Sequence, residues 1–330
     1  MIPSLKPIQA QNSLTTLLEP QLKAINACIL EKMKSPVELI PQIAGYLVSL
    51  GGKRLRPLLT VACAELCGYE GMRHIQLATS VEFIHTATLL HDDVVDESKL
   101  RRGKGTANAI WSNKASVLVG DFLFSRAFEL MVEDGSPDVL KILSHASSVI
   151  AEGEVMQLAS SHDLSLDQET YLKICSAKTA RLFSAATEVG AVVARAENKE
   201  RVALRDFGYA LGLAFQLMDD VLDYAADQEK LGKAIGDDFR EGKVTLPVIL
   251  AYQSGSDPVF WKEAFEGGTR DAGALAHAIR LLKESGALIK TKHKAQDYVS
   301  DALTCLDLFP DSPLKAALQE LAHFSLHRDS

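Results

Sequence analysis

Apolar residues recur every three to four positions along almost the whole chain, the spacing that puts them on one face of an α-helix. No two alternating runs meet at an Asn-Gly or Asp-Gly turn, so no hairpin is expected. The pattern predicts a nearly all-helical protein with helices of about 15 to 25 residues. Breaks fall at Gly51-Gly52, Gly68 to Gly71, Asp134-Gly135-Ser136-Pro137, Ser160 to Ser165, Ser254 to Pro258, Gly267-Gly268 and Pro310 to Pro313. Ser165 and Gln168 have the spacing of a capping box ahead of Tyr171, and Ser312-Pro313 reads as an N-cap with proline in the first turn. The longest uninterrupted helix candidate runs from about Gln76 to Glu97, with neither Gly nor Pro, roughly 33 Å of helix. No linker, charge block, low-complexity tract or solenoid-length repeat divides the chain, so residues 1–330 read as one helical domain.

That long helix ends in His91-Asp92-Asp93-Val94-Val95-Asp96-Glu97, where Asp92 and Asp96, four residues apart, project from one face. Crowded carboxylates repel one another, and at a helix C-terminus they also oppose the macrodipole, so the cluster asks for a cation. Oxygen donors without a His or Cys in register favour a hard ion, and Mg²⁺ in particular binds one or two carboxylates while phosphate or water completes its shell. Asp219, Asp220 and Asp223 repeat the spacing, Asp219 following Asp92 by 127 residues, again after an apolar run. Two facing helices so equipped can hold Mg²⁺ against a shared polyphosphate. On a helical wheel His85, Thr88, Asp92 and Asp96 share one stripe, and Gln216, Asp219, Asp220 and Asp223 share another.

Cations stand beside turns in four places: Lys53, Arg54 and Arg56 after Gly51-Gly52; Arg101-Arg102-Gly103; Lys178 to Arg181 within a helix; and Lys233 with Lys243 after the second cluster. Together they point to two phosphate sites, one bridged by metal and one held by Lys and Arg directly. Other chemistries fit worse. Gly236 to Lys243 has one residue too many for a Walker A loop and Val244 where Ser or Thr must bind Mg²⁺. Gly103-Lys104-Gly105 lacks the third glycine of a dinucleotide fingerprint, and Cys63 and Cys67 have no neighbouring His to complete a zinc set.

Composition narrows the setting. The formal net charge of −8 disfavours nucleic acid and anionic membrane surfaces as partners, and 47% apolar residues suffice for a sizeable core. Five scattered cysteines without a Cys-x-x-Cys pair argue against a disulfide framework, so a reducing cytoplasm is expected. No run approaches the length of a membrane span, and the first residues lack the pattern of a secretory signal.

Six motifs in order, Gly-Gly-Lys-Arg-Leu-Arg-Pro at 51–57, His-Asp-Asp-Val-Val-Asp-Glu at 91–97, Arg-Arg-Gly at 101–103, Lys-Thr-Ala at 178–180, Phe-Gln-Leu-Met-Asp-Asp-Val-Leu-Asp at 215–223 and Gly-Lys-Val-Thr-Leu-Pro at 242–247, make the chain resemble the trans-polyprenyl diphosphate synthases. The resemblance is strongest from Gly51 to Pro247 and leans towards bacterial members that build an eight-unit quinone side chain. It implies an all-α bundle of the isoprenoid synthase type around a central cavity, usually a homodimer. It implies that Asp92, Asp96 and Asp219 bind Mg²⁺ on an allylic diphosphate, with Asp93, Asp220 and Asp223 supporting. Lys53, Arg56, His85 and Arg102 would hold isopentenyl diphosphate; Arg101, Lys178, Thr179, Gln216 and Lys233 the allylic diphosphate; Lys243 would also face a diphosphate. Short-chain members tend to carry a bulky aromatic near Ala87 and Thr88, so this small pair leaves room for a long tail, with Phe124, Phe128 and Met131 as candidate floor. A class I terpene cyclase and a noncatalytic subunit of a heteromeric synthase are the competing readings. The first lacks a use for Lys53, Arg56 and Arg102, and the second commonly loses metal carboxylates that are all present here.

Overall fold

The computed structural model describes residues 13–49, 52, 54–101, 103–225 and 235–327. Lys53, Arg102 and Lys233, expected at the diphosphates, lie outside the described residues. In chain order the helices are α1 (Glu19–Lys32), α2 (Leu39–Ser49), α3 (Leu55–Leu66) and α4 (Arg73–Val95), followed by a small hairpin of β1 (Leu100–Arg101) and β2 (Lys104–Gly105). Then come α5 (Ala107–Ile110), α6 (Asn113–Asp134), α7 (Pro137–Ala159), α8 (Gln168–Cys175), a π-helical turn at Ser176–Ala180, α9 (Arg181–Val193) and α10 (Asn198–Ala225). The chain continues through α11 (Asp237–Glu241), α12 (Leu246–Gln253), α13 (Pro258–Phe265), α14 (Ala272–Glu284), α15 (Ala287–Leu306) and α16 (Pro313–Ser325).

The helices pack because each presents a run of small and aliphatic residues to its neighbours. α4 lies along α6, α9 is wedged between α3 and α10, and α10 is backed by α15. α9 is enclosed most fully: Leu182, Phe183, Ala186, Val189 and Val193 are all buried. Side chains of this kind each contribute about 1.5 to 3 kcal/mol on burial, so a helix placed here is firmly anchored. Among the described residues no helix is long and apolar enough to cross a membrane.

Three readings of the sequence are corrected. A hairpin does exist: Arg101 pairs with Lys104 around Gly103, whose φ of 73° supplies the left-handed residue a tight turn needs. Two-residue strands are too short to show alternation. α10, at 28 residues, exceeds the 23 of α4 although it contains Gly208 and Gly212. Those glycines are contact points and not breaks: a Cβ on Gly208 would sit 2.6 Å from the Phe183 carbonyl oxygen, and one on Gly212 would sit 2.6 Å from the Ala180 Cα. The cap of α8 is Asp167, whose carboxylate accepts from the Thr170 N–H, while Ser165 bonds to Asp163 instead. The Ser312 cap of α16 is as expected, accepting from the Lys315 N–H at 3.1 Å.

Candidate active site

Each acidic cluster divides its carboxylates in the same way. Asp93 and Asp220, the second residue of each motif, are 1% exposed and tied into the scaffold, whereas Asp92, Asp96, Asp219 and Asp223 are only half-buried. Asp93 takes a bidentate pair of hydrogen bonds from Arg101, Nε to Oδ2 at 3.2 Å and Nη2 to Oδ1 at 2.8 Å, and the Asn108 amide donates to its carbonyl. The fork of the guanidinium matches the carboxylate plane, so the hairpin bearing Arg101 is fixed against the end of α4. Asp220 accepts from the Tyr171 hydroxyl and, at 3.0 Å, from the Gln216 amide. Asp223 accepts from the Asp237 and Asp238 backbone N–H groups at 3.1 and 3.2 Å, a cap for α11 supplied by a different helix. The wheel places Asp220 beside Asp219 and Asp223, but Tyr171 turns it inward.

The first cluster meets cations from later in the chain. Burial pushes the Asp92 carboxyl up to about 7; the Lys178 ammonium opposes this, and Glu154 and Asp96 add to it. Lys178 is held by Glu154 and Gln157 of α7, both at 2.6 Å. Lys243 donates to Asp96 at 2.8 Å and pairs with Glu241 at 2.7 Å. Burial works against this ammonium, yet Asp238, Asp96 and Glu241 together hold its pKa above the ordinary lysine value.

In the second cluster burial pushes Asp220 up to about 8, with Asp238 adding and the Tyr171 and Gln216 hydrogen bonds opposing. Burial likewise pushes Asp223 up to about 8, with Asp238 and Asp237 adding and their backbone N–H groups opposing. Such groups are short of positive charge.

Among the described residues no three acidic, His or Cys side chains converge on one point. Mg²⁺ ordinarily needs only one or two carboxylates and completes its shell with phosphate oxygens and water, so the half-buried aspartates of either row suffice for it. Lysine ammonium groups meanwhile neutralise the first row.

Lys178 and Thr179 join the two clusters. They are neighbours on the π turn, a feature that widens a helix by one residue and often marks a functional position. Lys178 faces Asp92, while the Thr179 hydroxyl donates to Gln216 Oε1 at 2.7 Å, one turn before Asp220. The turn is squeezed from both sides: a Cβ on Gly153 of α7 would lie 2.7 Å from Ala177 Cβ, just as Gly212 of α10 meets Ala180. The sequence places Lys178 within an ordinary helix and gives no sign of the extra residue.

A second cationic group lies one layer deeper. Arg56 Nη1 is 3.1 Å from His85 Nε2, and its guanidinium stacks 4.4 Å above the Phe183 ring. Burial lowers the Arg56 pKa to about 10, opposed by Glu82 and Asp219, so the group remains charged and in electrostatic reach of the second cluster. Arg54, at φ 46°, forms a buried ion pair with Glu82. Glu82, Glu154, Gln157, Tyr171, Asp238 and Glu241 escape sequence reasoning. Only Glu154 and Gln157, polar neighbours at i, i+3, leave a trace in the pattern.

Of the residues expected along a tail, Ala87 is fully buried and Thr88 half-buried, its hydroxyl donating to the His85 carbonyl. Phe124 and Phe128 have ring centroids 5.5 Å apart and line a groove of about 540 Å³ with Ser125, Glu129, Val132 and Glu133. Met131 is buried in the core.

The polyprenyl synthetase family model matches residues 37–282. The chain belongs to the polyprenyl synthetase family. It is 46% identical to the octaprenyl diphosphate synthase of Escherichia coli over 95% of this chain and 97% of that protein. A polyprenyl synthase from Caulobacter crescentus, crystallised with calcium and isoprenyl diphosphate, superposes with a TM-score of 0.94 at 51% identity, covering 97% of this chain and 98% of the other. A decaprenyl diphosphate synthase from Rhodobacter capsulatus superposes with a TM-score of 0.92 at 47% identity over 97% of this chain and 99% of its own. The fold is therefore the all-α isoprenoid synthase bundle, and this family member is a long-chain trans-prenyltransferase.

Proposed function

We propose that the protein adds isopentenyl diphosphate successively to an allylic diphosphate, with farnesyl diphosphate as primer, to give octaprenyl diphosphate for a quinone side chain. The reading includes Mg²⁺ as cofactor, one synthase domain over residues 1–330, a homodimer, and the cytoplasm as location. The observation that carries it is the π turn, whose adjacent residues address two carboxylate rows on different helices: Lys178 faces Asp92, and Thr179 bonds Gln216 beside Asp219 and Asp220. Support for the metal comes from the donor set and from the calcium complex of the Caulobacter crescentus protein. Support for a second copy comes from exposed apolar residues on neighbouring helices, Val117, Leu118 and Val132 of α6 and Val155 and Leu158 of α7.

In this reading Asp92, Asp96 and Asp219 hold Mg²⁺, which when bound neutralises charge growing on the departing pyrophosphate. Lys178, Gln216 and Lys243 grip the same diphosphate, with Thr179 orienting Gln216 and Arg101 fixed beside it by Asp93; Lys233 is assigned there by resemblance. These groups are pre-aligned, so they stabilise ionisation of the allylic carbon–oxygen bond without reorganising. Arg56 and His85, with Lys53 and Arg102, hold isopentenyl diphosphate so that its double bond attacks the resulting cation. By resemblance to the family, released pyrophosphate accepts the final proton. The tail runs past Ala87 and Thr88 towards α6, where Phe124, Phe128 and Met131 close its path.

Purified protein incubated with Mg²⁺, labelled isopentenyl diphosphate and farnesyl diphosphate should yield a linear product whose mass corresponds to eight isoprene units. A cyclic hydrocarbon would refute the reading in favour of a cyclase. No turnover without an added partner would refute it in favour of a subunit.

A further inference from the structure

Behind the second cluster lies a polar chain whose buried end, Tyr171, the proposed chemistry does not use. Tyr171 is buried in α8, and its hydroxyl donates to Asp220 Oδ2. The other carboxylate oxygen, Oδ1, accepts from Gln216 Nε2 at 3.0 Å. Gln216 Oε1 in turn accepts from the Thr179 hydroxyl at 2.7 Å. Three segments, α8, the π turn and α10, are thus linked by successive side-chain hydrogen bonds running from a buried phenol to two residues at the proposed diphosphate.

The direction of each bond follows from donor and acceptor chemistry. A carboxyl group flanked by Tyr171 and Gln216 accepts a hydrogen bond from each, which requires Gln216 to turn its NH₂ towards Asp220 and its carbonyl oxygen towards Thr179. Thr179 then spends its only hydroxyl proton on that oxygen. Gln216 keeps one N–H uncommitted by this chain, and that N–H is a donor for a phosphate oxygen. Without the Tyr171 hydroxyl, Asp220 has one donor fewer in a buried place, where an unmet acceptor is costly, and its carboxyl group is free to rotate towards another donor. That rotation releases the Gln216 amide from its fixed orientation.

We propose that Tyr171 is a positioning residue for the allylic diphosphate: through Asp220 it fixes the orientation of the Gln216 amide and the Thr179 hydroxyl, and so sets affinity for that substrate but not for isopentenyl diphosphate. The inference rests on the reading of this site as the allylic pocket. Arg56 and His85, which serve the other substrate, are outside the chain of bonds, so the two Michaelis constants should separate.

The test is steady-state kinetics of Tyr171→Phe, which removes one oxygen atom and keeps the ring in the core. KM for the allylic diphosphate should rise about tenfold, the equivalent of ~1.4 kcal/mol or one lost hydrogen bond, while KM for isopentenyl diphosphate stays within about twofold. Gln216→Leu should raise the allylic KM as well, and the double variant should be no worse than Gln216→Leu alone, because Tyr171 acts through Gln216. Equal shifts in both Michaelis constants, an unchanged allylic KM, or additive effects in the double variant would each overturn the positioning role. Those results leave native turnover intact, whereas a native protein that turns over neither substrate removes the functional reading itself.

Discussion

Lys243 and Asp96 stand 147 residues apart in the chain, and their side chains meet at 2.8 Å. The contact joins the end of the first acidic motif to the segment that follows the second, and Glu241 completes the bridge at 2.7 Å. In the proposed reading a fixed ammonium here is aimed at the place where the departing diphosphate gathers charge, and loss of one such aimed donor commonly costs two to three orders of magnitude in rate. Lys243→Ala should therefore lower kcat/KM by about 100-fold or more. A value within about threefold of the native protein would show that Lys243 only neutralises its neighbours.

Arg54 and Glu82 form an ion pair, and Glu82 also lies in electrostatic reach of Arg56. Their side chains are only 11% and 6% exposed, so removing one partner leaves a charge with little water to solvate it. Glu82→Ala should cost about 3 kcal/mol in urea unfolding, although neither residue touches a proposed substrate. A loss below about 0.5 kcal/mol would mean that Arg54 finds another acceptor.

Metal binding should depend on pH in a defined direction. The folded, metal-free protein keeps a proton on Asp92 up to about 7, whereas the unfolded chain releases it near the ordinary value of 3.8. Between those values the folded state holds more protons, so metal-free stability falls as pH rises through that window. Mg²⁺ binds the ionised carboxylates and releases those protons, so it stabilises more at higher pH. Thermal melts should show a larger Mg²⁺-induced rise in Tm at pH 8 than at pH 6, reversed by a chelator. Equal rises at both pH values would contradict the burial of Asp92 as the controlling feature.

Much of this site is legible in the sequence, and the reasons for the rest are physical. The helices follow from apolar periodicity, and the i, i+4 spacing correctly sets Asp92 with Asp96 on one half-buried face. Periodicity carries no information about partners brought in from elsewhere in the fold. Asp93 and Asp220 turn inward only because Arg101 and Tyr171 wait there, and nothing in either motif announces those contacts. Gly208 and Gly212 lower the helix propensity of α10, and their value, which no local pattern shows, lies in letting α9 and the π turn approach. The π turn itself is invisible to a 3.6-residue pattern.

Product length offers a geometric check. Ala87 is fully buried on α4, five residues before Asp92, and a bulky ring there would block a tail leaving the diphosphate. Ala87→Phe should shorten the product to a few isoprene units, read by mass spectrometry. Unchanged lengths from a variant that melts close to the native protein would place the path of the tail elsewhere.

One experiment addresses the whole arrangement: a crystal structure with Mg²⁺ and a thiolo analogue of farnesyl diphosphate that cannot ionise. The diphosphate should lie between the two carboxylate rows, with Mg²⁺ at about 2.1 Å from oxygens of Asp92 and Asp96 on one side and Asp219 on the other. A diphosphate bound away from these rows, or metal held by one row alone, would contradict a shared leaving-group site.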